Sequence, residues 1–133
     1  MANILIIDDD ENLRELLRLQ LKRAGHEAVV AGDGGEVFDD LQGWVRWADL
    51  VITDLFMPRR DGIETLRAFR EQSVDLPIIV MSGGGRWPDK LDLLDCAAQL
   101  GATDILHKPF SRRTLLGALE AALAPTVAQP AAT

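Results

Sequence analysis

The chain has 133 residues, enough for one domain that buries roughly two-thirds of its unfolded surface without disulfide staples. A formal charge of -7 and a sequence pI near 4.7 argue against broad binding to a phosphate backbone, so direct nucleic-acid binding is not expected of it. The single cysteine, Cys96, sits in an apolar helical pattern, and the N-terminus runs straight into a short strand; the chain reads as cytoplasmic, with no disulfide framework and no membrane span.

Residues 3–7 form a short apolar run that ends in Asp8-Asp9-Asp10, and Leu13, Leu16, Leu17, Gln20, Leu21 and Ala24 follow at helical spacing. A strand therefore feeds a helix. Asp10 suits the N-cap and Gly25 closes the helix, which accounts for one of the acids and leaves Asp8 and Asp9 over. Residues 27–31 read as a second strand centred on Val29 and Val30, and Asp33-Gly34-Gly35 turns it into a helix carrying Val37, Phe38 and Leu41. Trp44 and Trp47 fall in the connection to the third strand. There they read as packing residues rather than a base-stacking platform.

Leu50, Val51 and Ile52 form the continuous apolar run of a parallel strand buried on both faces, and the run stops at Asp54. Met57-Pro58 then breaks the backbone, and Asp61 offers an N-cap with Glu64 three residues on, opening a helix over about 62–72. Ile63, Leu66 and Phe69 mark its apolar face. A fourth buried strand over 77–81 ends at Ser82, and the Gly83-Gly84-Gly85-Arg86-Trp87-Pro88 loop leads to helical spacing over 89–100, stopped by Gly101. The fifth strand covers 104–107. Lys108-Pro109-Phe110 ends it, Ser111 caps a last helix to about residue 123, and 124–133 is an Ala/Pro-rich flexible tail or linker. Five strands alternating with five helices predict a single doubly wound α/β domain over 1–123.

With a five-stranded parallel sheet in the order 2-1-3-4-5, strands one and three are neighbours, and Asp8, Asp9 and Asp54 emerge together at the topological switch point. Carboxylates so crowded repel one another unless a cation joins them. Hard oxygen ligands with room for water suit Mg²⁺. Strands three, four and five bring Asp54, Ser82 and Lys108 to the same crevice, a carboxylate, a hydroxyl and an ammonium. Mg²⁺ with a lysine point charge is a phosphoryl-binding arrangement, and an aspartate can itself carry the phosphoryl group as an aspartyl-phosphate.

The motifs I-L-I-I-D-D, L-V-I-T-D-L-F-M-P-R-R-D-G, P-I-I-V-M-S-G and L-H-K-P-F, in this order and spacing, resemble a bacterial two-component response-regulator receiver domain. The resemblance runs from about Asn3 to Leu123 and implies the flavodoxin-like three-layer sandwich of chemotaxis regulators. It implies Asp54 as phosphoacceptor, and Mg²⁺ held by Asp9, Asp54 and the Phe56 carbonyl, with Asp8 acting through a metal-bound water. Ser82 would turn its hydroxyl to the phosphoryl group, and Lys108 would pair with it. The implied partners are a sensor histidine kinase or phosphotransfer protein and a downstream effector or attached output domain, and a phosphorylation-dependent dimer is compatible with it. No enzymatic turnover beyond self-phosphorylation and self-dephosphorylation is implied.

Two positions depart from the family pattern. Ile105 stands where an aromatic residue usually couples the site to the output face, so Ser82 and Ile105 form an altered switch pair. The loop after Ser82 is also longer and richer in glycine than in most members, which makes it a candidate readout near Trp87. The alternative from another class is a haloacid-dehalogenase-type Mg²⁺-dependent phosphatase using Asp8 and Asp10. Against it stand the absent cap domain and the unexplained Met57-Pro58 and Lys108-Pro109.

Overall fold

The computed structural model describes residues 1–32, 37–55, 62–83 and 97–124. Phe56, Met57-Pro58, Asp61, Trp87, Cys96 and residues 125–133 lie outside the described residues, together with the expectations placed on them. The strands are β1 (Asn3–Ile7), β2 (Glu27–Ala31), β3 (Leu50–Asp54), β4 (Ile78–Ser82) and β5 (Asp104–His107). They pair in parallel in the order β2-β1-β3-β4-β5, the order expected for this doubly wound fold.

Alternation along these strands builds two cores. Leu5, Ile7, Val51, Ile78 and Val80 face one way and meet Leu66 and Phe69, whereas Ile4, Ile6, Leu50, Ile52, Ile79 and Met81 face the other and meet Leu17, Leu21, Leu115 and Leu119. The helices α1 (Glu11–Arg23) and α4 (Arg112–Leu123) thus cover one face of the sheet. On the other face lie α2 (Leu41–Trp47), α3 (Gly62–Gln72) and the helical residues 97–99. Every residue of β3 and β4 is buried, which is why their sequences read as unbroken apolar runs rather than alternating ones. Thr53 is the polar residue of these strands that lies before their ends, Asp54 and Ser82 being terminal. It is fully buried and donates its hydroxyl to the Asp54 carbonyl at 3.2 Å, a buried polar side chain at a strand centre that the sequence pattern does not predict.

The helix ends follow their capping chemistry. The Asp10 carboxylate accepts from the Asn12 and Leu13 amides, Gly25 takes a φ of 92° past the end of α1, and the Ser111 hydroxyl accepts from the Thr114 amide. One expectation is corrected. Trp44 and Trp47 lie on α2, not in a connection, because Asp40 starts a new helix there by accepting the Gly43 amide at 3.1 Å. Their rings meet edge to face with centroids 5.7 Å apart and pack on the core beside Val45, which fits the packing role.

Arg70 ties three chain segments together below the sheet. Its guanidinium donates to the Leu76 carbonyl at 2.6 Å, to Ser73 at 3.1 Å, and to Gly101 from both Nε and Nη2 at 3.0 and 2.7 Å. The end of α3, the approach to β4 and the turn before β5 thus share one side chain. We expect Arg70→Ala to cost about 2–3 kcal/mol, the range for removing charge-assisted bonds to partly buried carbonyls. Arg70→Lys should recover little of it, since an ammonium cannot span the three acceptors at once. Urea melts of the three proteins check this, and an Arg70→Lys protein as stable as wild type would contradict it.

Candidate functional site

The strand registers bring the polar strand ends together. Ile7 pairs with Thr53, so Asp8 and Asp54 leave neighbouring strands side by side, and Ser82 pairs with His107, which sets Lys108 one residue beyond. Carboxylate oxygens of Asp8, Asp9 and Asp54 all lie within 4.8 Å of one another. Asp8 is fully buried, Asp54 is 5% exposed, and Asp9 opens to solvent.

Lys108 reaches into this cluster. Its Nζ lies 3.1 Å from Asp8 Oδ2 and 3.3 Å from Asp54 Oδ2, a single cation shared by two buried acids. The other oxygen of Asp8 accepts the Asp10 amide at 2.8 Å. Burial pushes the Asp8 carboxyl above the usual carboxylate range, against the pull of the Asp10 amide and Lys108. Lys108 is also partly buried, which favours its neutral form, yet Asp54 and Asp8 outweigh this and hold the ammonium above its ordinary value. The pair would ordinarily lower the acid as it raises the base; here the burial of Asp8 wins for the acid, and the lysine stays charged.

Ser82 is fully buried at the end of β4, and among the described residues its Oγ has no hydrogen-bond partner. Buried hydroxyls are nearly always bonded, so this one is available as a donor to an incoming group. The backbone carbonyl of Ser82 accepts the Lys108 amide at 2.7 Å, which joins the two strand ends. Ile105 pairs with Val80 in the sheet and packs on the α2/α3 face, the face that alternation also assigns to Ser82. Of the expected site residues, Asp8, Asp9, Asp54 and Lys108 converge by direct geometry. Ser82 stands at the neighbouring strand end, and Phe56 lies outside the described residues.

The donor set fits a hard divalent cation: three carboxylates, one of them open to water, in a crevice where a single lysine leaves the acids in excess. Asp10, by contrast, spends its carboxylate on capping α1. A groove of about 900 Å³ opens elsewhere, lined by residues including His26, Pro77, Leu119 and Glu120, and touches none of these groups. Nothing in the sequence pattern singles out Arg14, whose Nη1 donates to the Asp8 carbonyl at 3.3 Å.

Comparison with known proteins agrees with this geometry. The family described as response regulator receiver domain matches residues 4–120. The transcriptional regulatory protein CpxR of Escherichia coli is 37% identical over 92% of the chain, and PhoP of Bacillus subtilis, a regulatory protein of alkaline phosphatase synthesis, is 32% identical over 90%. The chain spans about half the length of these relatives, 50% and 48%. Among solved structures, a receiver domain from Clostridium thermocellum superposes with a TM-score of 0.83 at 29% identity, covering 92% of this chain and 94% of that one. The Vibrio cholerae chemotaxis protein CheY4 superposes with a TM-score of 0.77 at 33% identity, covering 92% and 99%. None of these supports the phosphatase alternative. With the family match over residues 4–120, relatives above 30% identity and the sheet order β2-β1-β3-β4-β5, the chain belongs to the response regulator receiver domain family, regulatory phosphorelay domains rather than turnover enzymes.

Proposed function

We propose that Asp54 accepts a phosphoryl group from the phosphohistidine of a sensor kinase or phosphotransfer protein, in the presence of Mg²⁺ held by Asp9, Asp54 and the Phe56 carbonyl, with Asp8 acting through water. The observation that carries this is the three-carboxylate cluster at the switch point with Lys108 between its two buried members. Bound Mg²⁺ would supply the positive charge that lets an anionic donor approach these acids. An Asp54 oxygen forms the new bond to phosphorus as the bond from phosphorus to the histidine nitrogen breaks, and the imidazole leaves with the electron pair. Little more than positioning and charge neutralisation is required.

Lys108, in contact with both Asp8 and Asp54, would exchange its contact with Asp54 for one with the phosphoryl oxygens and keep Asp8 as an anchor. Ser82 has a buried hydroxyl to donate to the same group. Its turn toward the site would be felt by Ile105 on the same face, the route by which an effector or an attached output domain, or a phosphorylation-dependent dimer, reads the state. We read the domain as residues 1–123 followed by a tail or linker over 124–133, and as cytoplasmic because its proposed phosphoryl donor is the phosphohistidine of a sensor kinase or phosphotransfer protein; among the described residues no helix is long and apolar enough to cross a membrane. Incubation with acetyl phosphate and Mg²⁺ should add one phosphoryl group per chain, read by intact mass spectrometry and lost in chelator. Steady hydrolysis of a phosphate monoester such as p-nitrophenyl phosphate over many turnovers would instead favour a phosphatase.

A further inference from the structure

The exposed acid of the cluster, Asp9, has its backbone set by a neighbour outside the site. From the contact between Arg14 and the Asp8 carbonyl, and resting on the Mg²⁺ reading above, we propose that Arg14 is a positioning residue for Asp9, and that Gly32 is glycine to make room for it. Asp8 carries two carboxylate contacts, Lys108 and the Asp10 amide, that fix its side chain. Asp9 is exposed, and its place depends on the peptide that precedes it. That peptide is planar, so a bond to the Asp8 carbonyl oxygen also orients the nitrogen and Cα of Asp9. Arg14 Nη1 makes that bond at 3.3 Å, from the first turns of α1.

Gly32 explains how the guanidinium gets there. It follows β2, and among the described residues, its two chain neighbours aside, the only atoms within 4 Å of a Cβ built on it are Arg14 Nη1 at 2.7 Å and Cζ at 3.9 Å. Positive φ among the described glycines is confined to Gly25 and Gly101, so the backbone at Gly32 does not itself demand glycine. The steric conflict is with the far end of a flexible side chain alone. An alanine there should displace the guanidinium while leaving the backbone and every charge in place.

This separates positioning from charge. Removing a cation beside an acidic site tightens Mg²⁺ by simple electrostatics, whereas loosening Asp9 weakens it. We expect Gly32→Ala and Arg14→Ala each to weaken Mg²⁺ by about tenfold, the low end for loss of an outer-shell partner. The double variant should be no weaker than Arg14→Ala, because both substitutions break one contact. Mg²⁺ titration of each ¹⁵N-labelled protein, followed by amide shifts, reads the affinities, and thermal melts in chelator verify folding. Should Arg14→Ala fail to fold, Gly32→Ala decides alone. Wild-type affinity in Gly32→Ala overturns the inference while leaving the Mg²⁺ reading intact; no binding by the wild type overturns that reading and the inference with it.

Discussion

An Asp54→Asn protein is expected to take up no phosphoryl group from acetyl phosphate under conditions that label the wild type fully, and to be no less stable for it. The first half follows from chemistry: an amide nitrogen or oxygen is a poor nucleophile toward phosphorus, and β3 itself carries no carboxylate other than Asp54. The second half follows from the crowding. Asp54 is 5% exposed and shares one lysine with the fully buried Asp8, so an isosteric neutral group leaves Asp8 with undivided use of Lys108. The relief should appear as an equal or higher melting temperature in chelator, with the gain from added Mg²⁺ smaller than in wild type. Asp9→Asn should behave alike in the melts. Equal labelling of Asp54→Asn would move the nucleophile to another acid, and a marked loss of stability in chelator would show that the acids are not in mutual strain.

Much of this site is legible in the sequence because a parallel sheet turns spacing into position. Four apolar runs that each end in a polar residue, on strands whose order the crossovers restrict, bring Asp8, Asp54, Ser82 and Lys108 to one edge before any distance is known. The run at Leu50, Val51 and Ile52 is informative for the same reason: burial on both faces removes the alternation that would make it ambiguous. The misses have a common cause. Asp40 restarting a helix before Trp44 depends on which of several acids meets a free amide, and composition alone does not choose among Asp33, Asp39 and Asp40. Arg14 and Gly32 are farther apart in the chain than any local pattern reaches, and each alone looks ordinary, an arginine on a helix and a glycine near a turn. Only the distance between them gives either a role.

Lys108→Ala should show the largest loss of stability among single changes at the site, about 3 kcal/mol at neutral pH, the low end for removing one partner of a buried ion pair. Lys108 is itself partly exposed, so what is lost is chiefly the compensation of Asp8, which has no access to water. The pH dependence distinguishes this from simple loss of packing. Asp8 is already held above its unfolded value of 3.8 by burial, and without Lys108 two of the interactions that oppose burial vanish, so it rises further. A carboxyl that binds its proton more tightly in the folded state loses stability as pH rises from 3.8 through the folded value. The deficit of Lys108→Ala should therefore be small near pH 4, grow on raising the pH, and level off once Asp8 is ionised in both states. Lys108 contributes no opposing slope in that range, since its own stabilisation is complete below its unfolded value of 10.5. Adding Asp8→Asn to Lys108→Ala removes the stranded charge, and most of the lost stability should return at pH 7. Denaturant melts of the single and double variants between pH 4 and 8 measure all of this. A deficit that stays constant with pH, or a double variant as unstable as Lys108→Ala, would mean that Lys108 stabilises the fold through its aliphatic stem and not through Asp8.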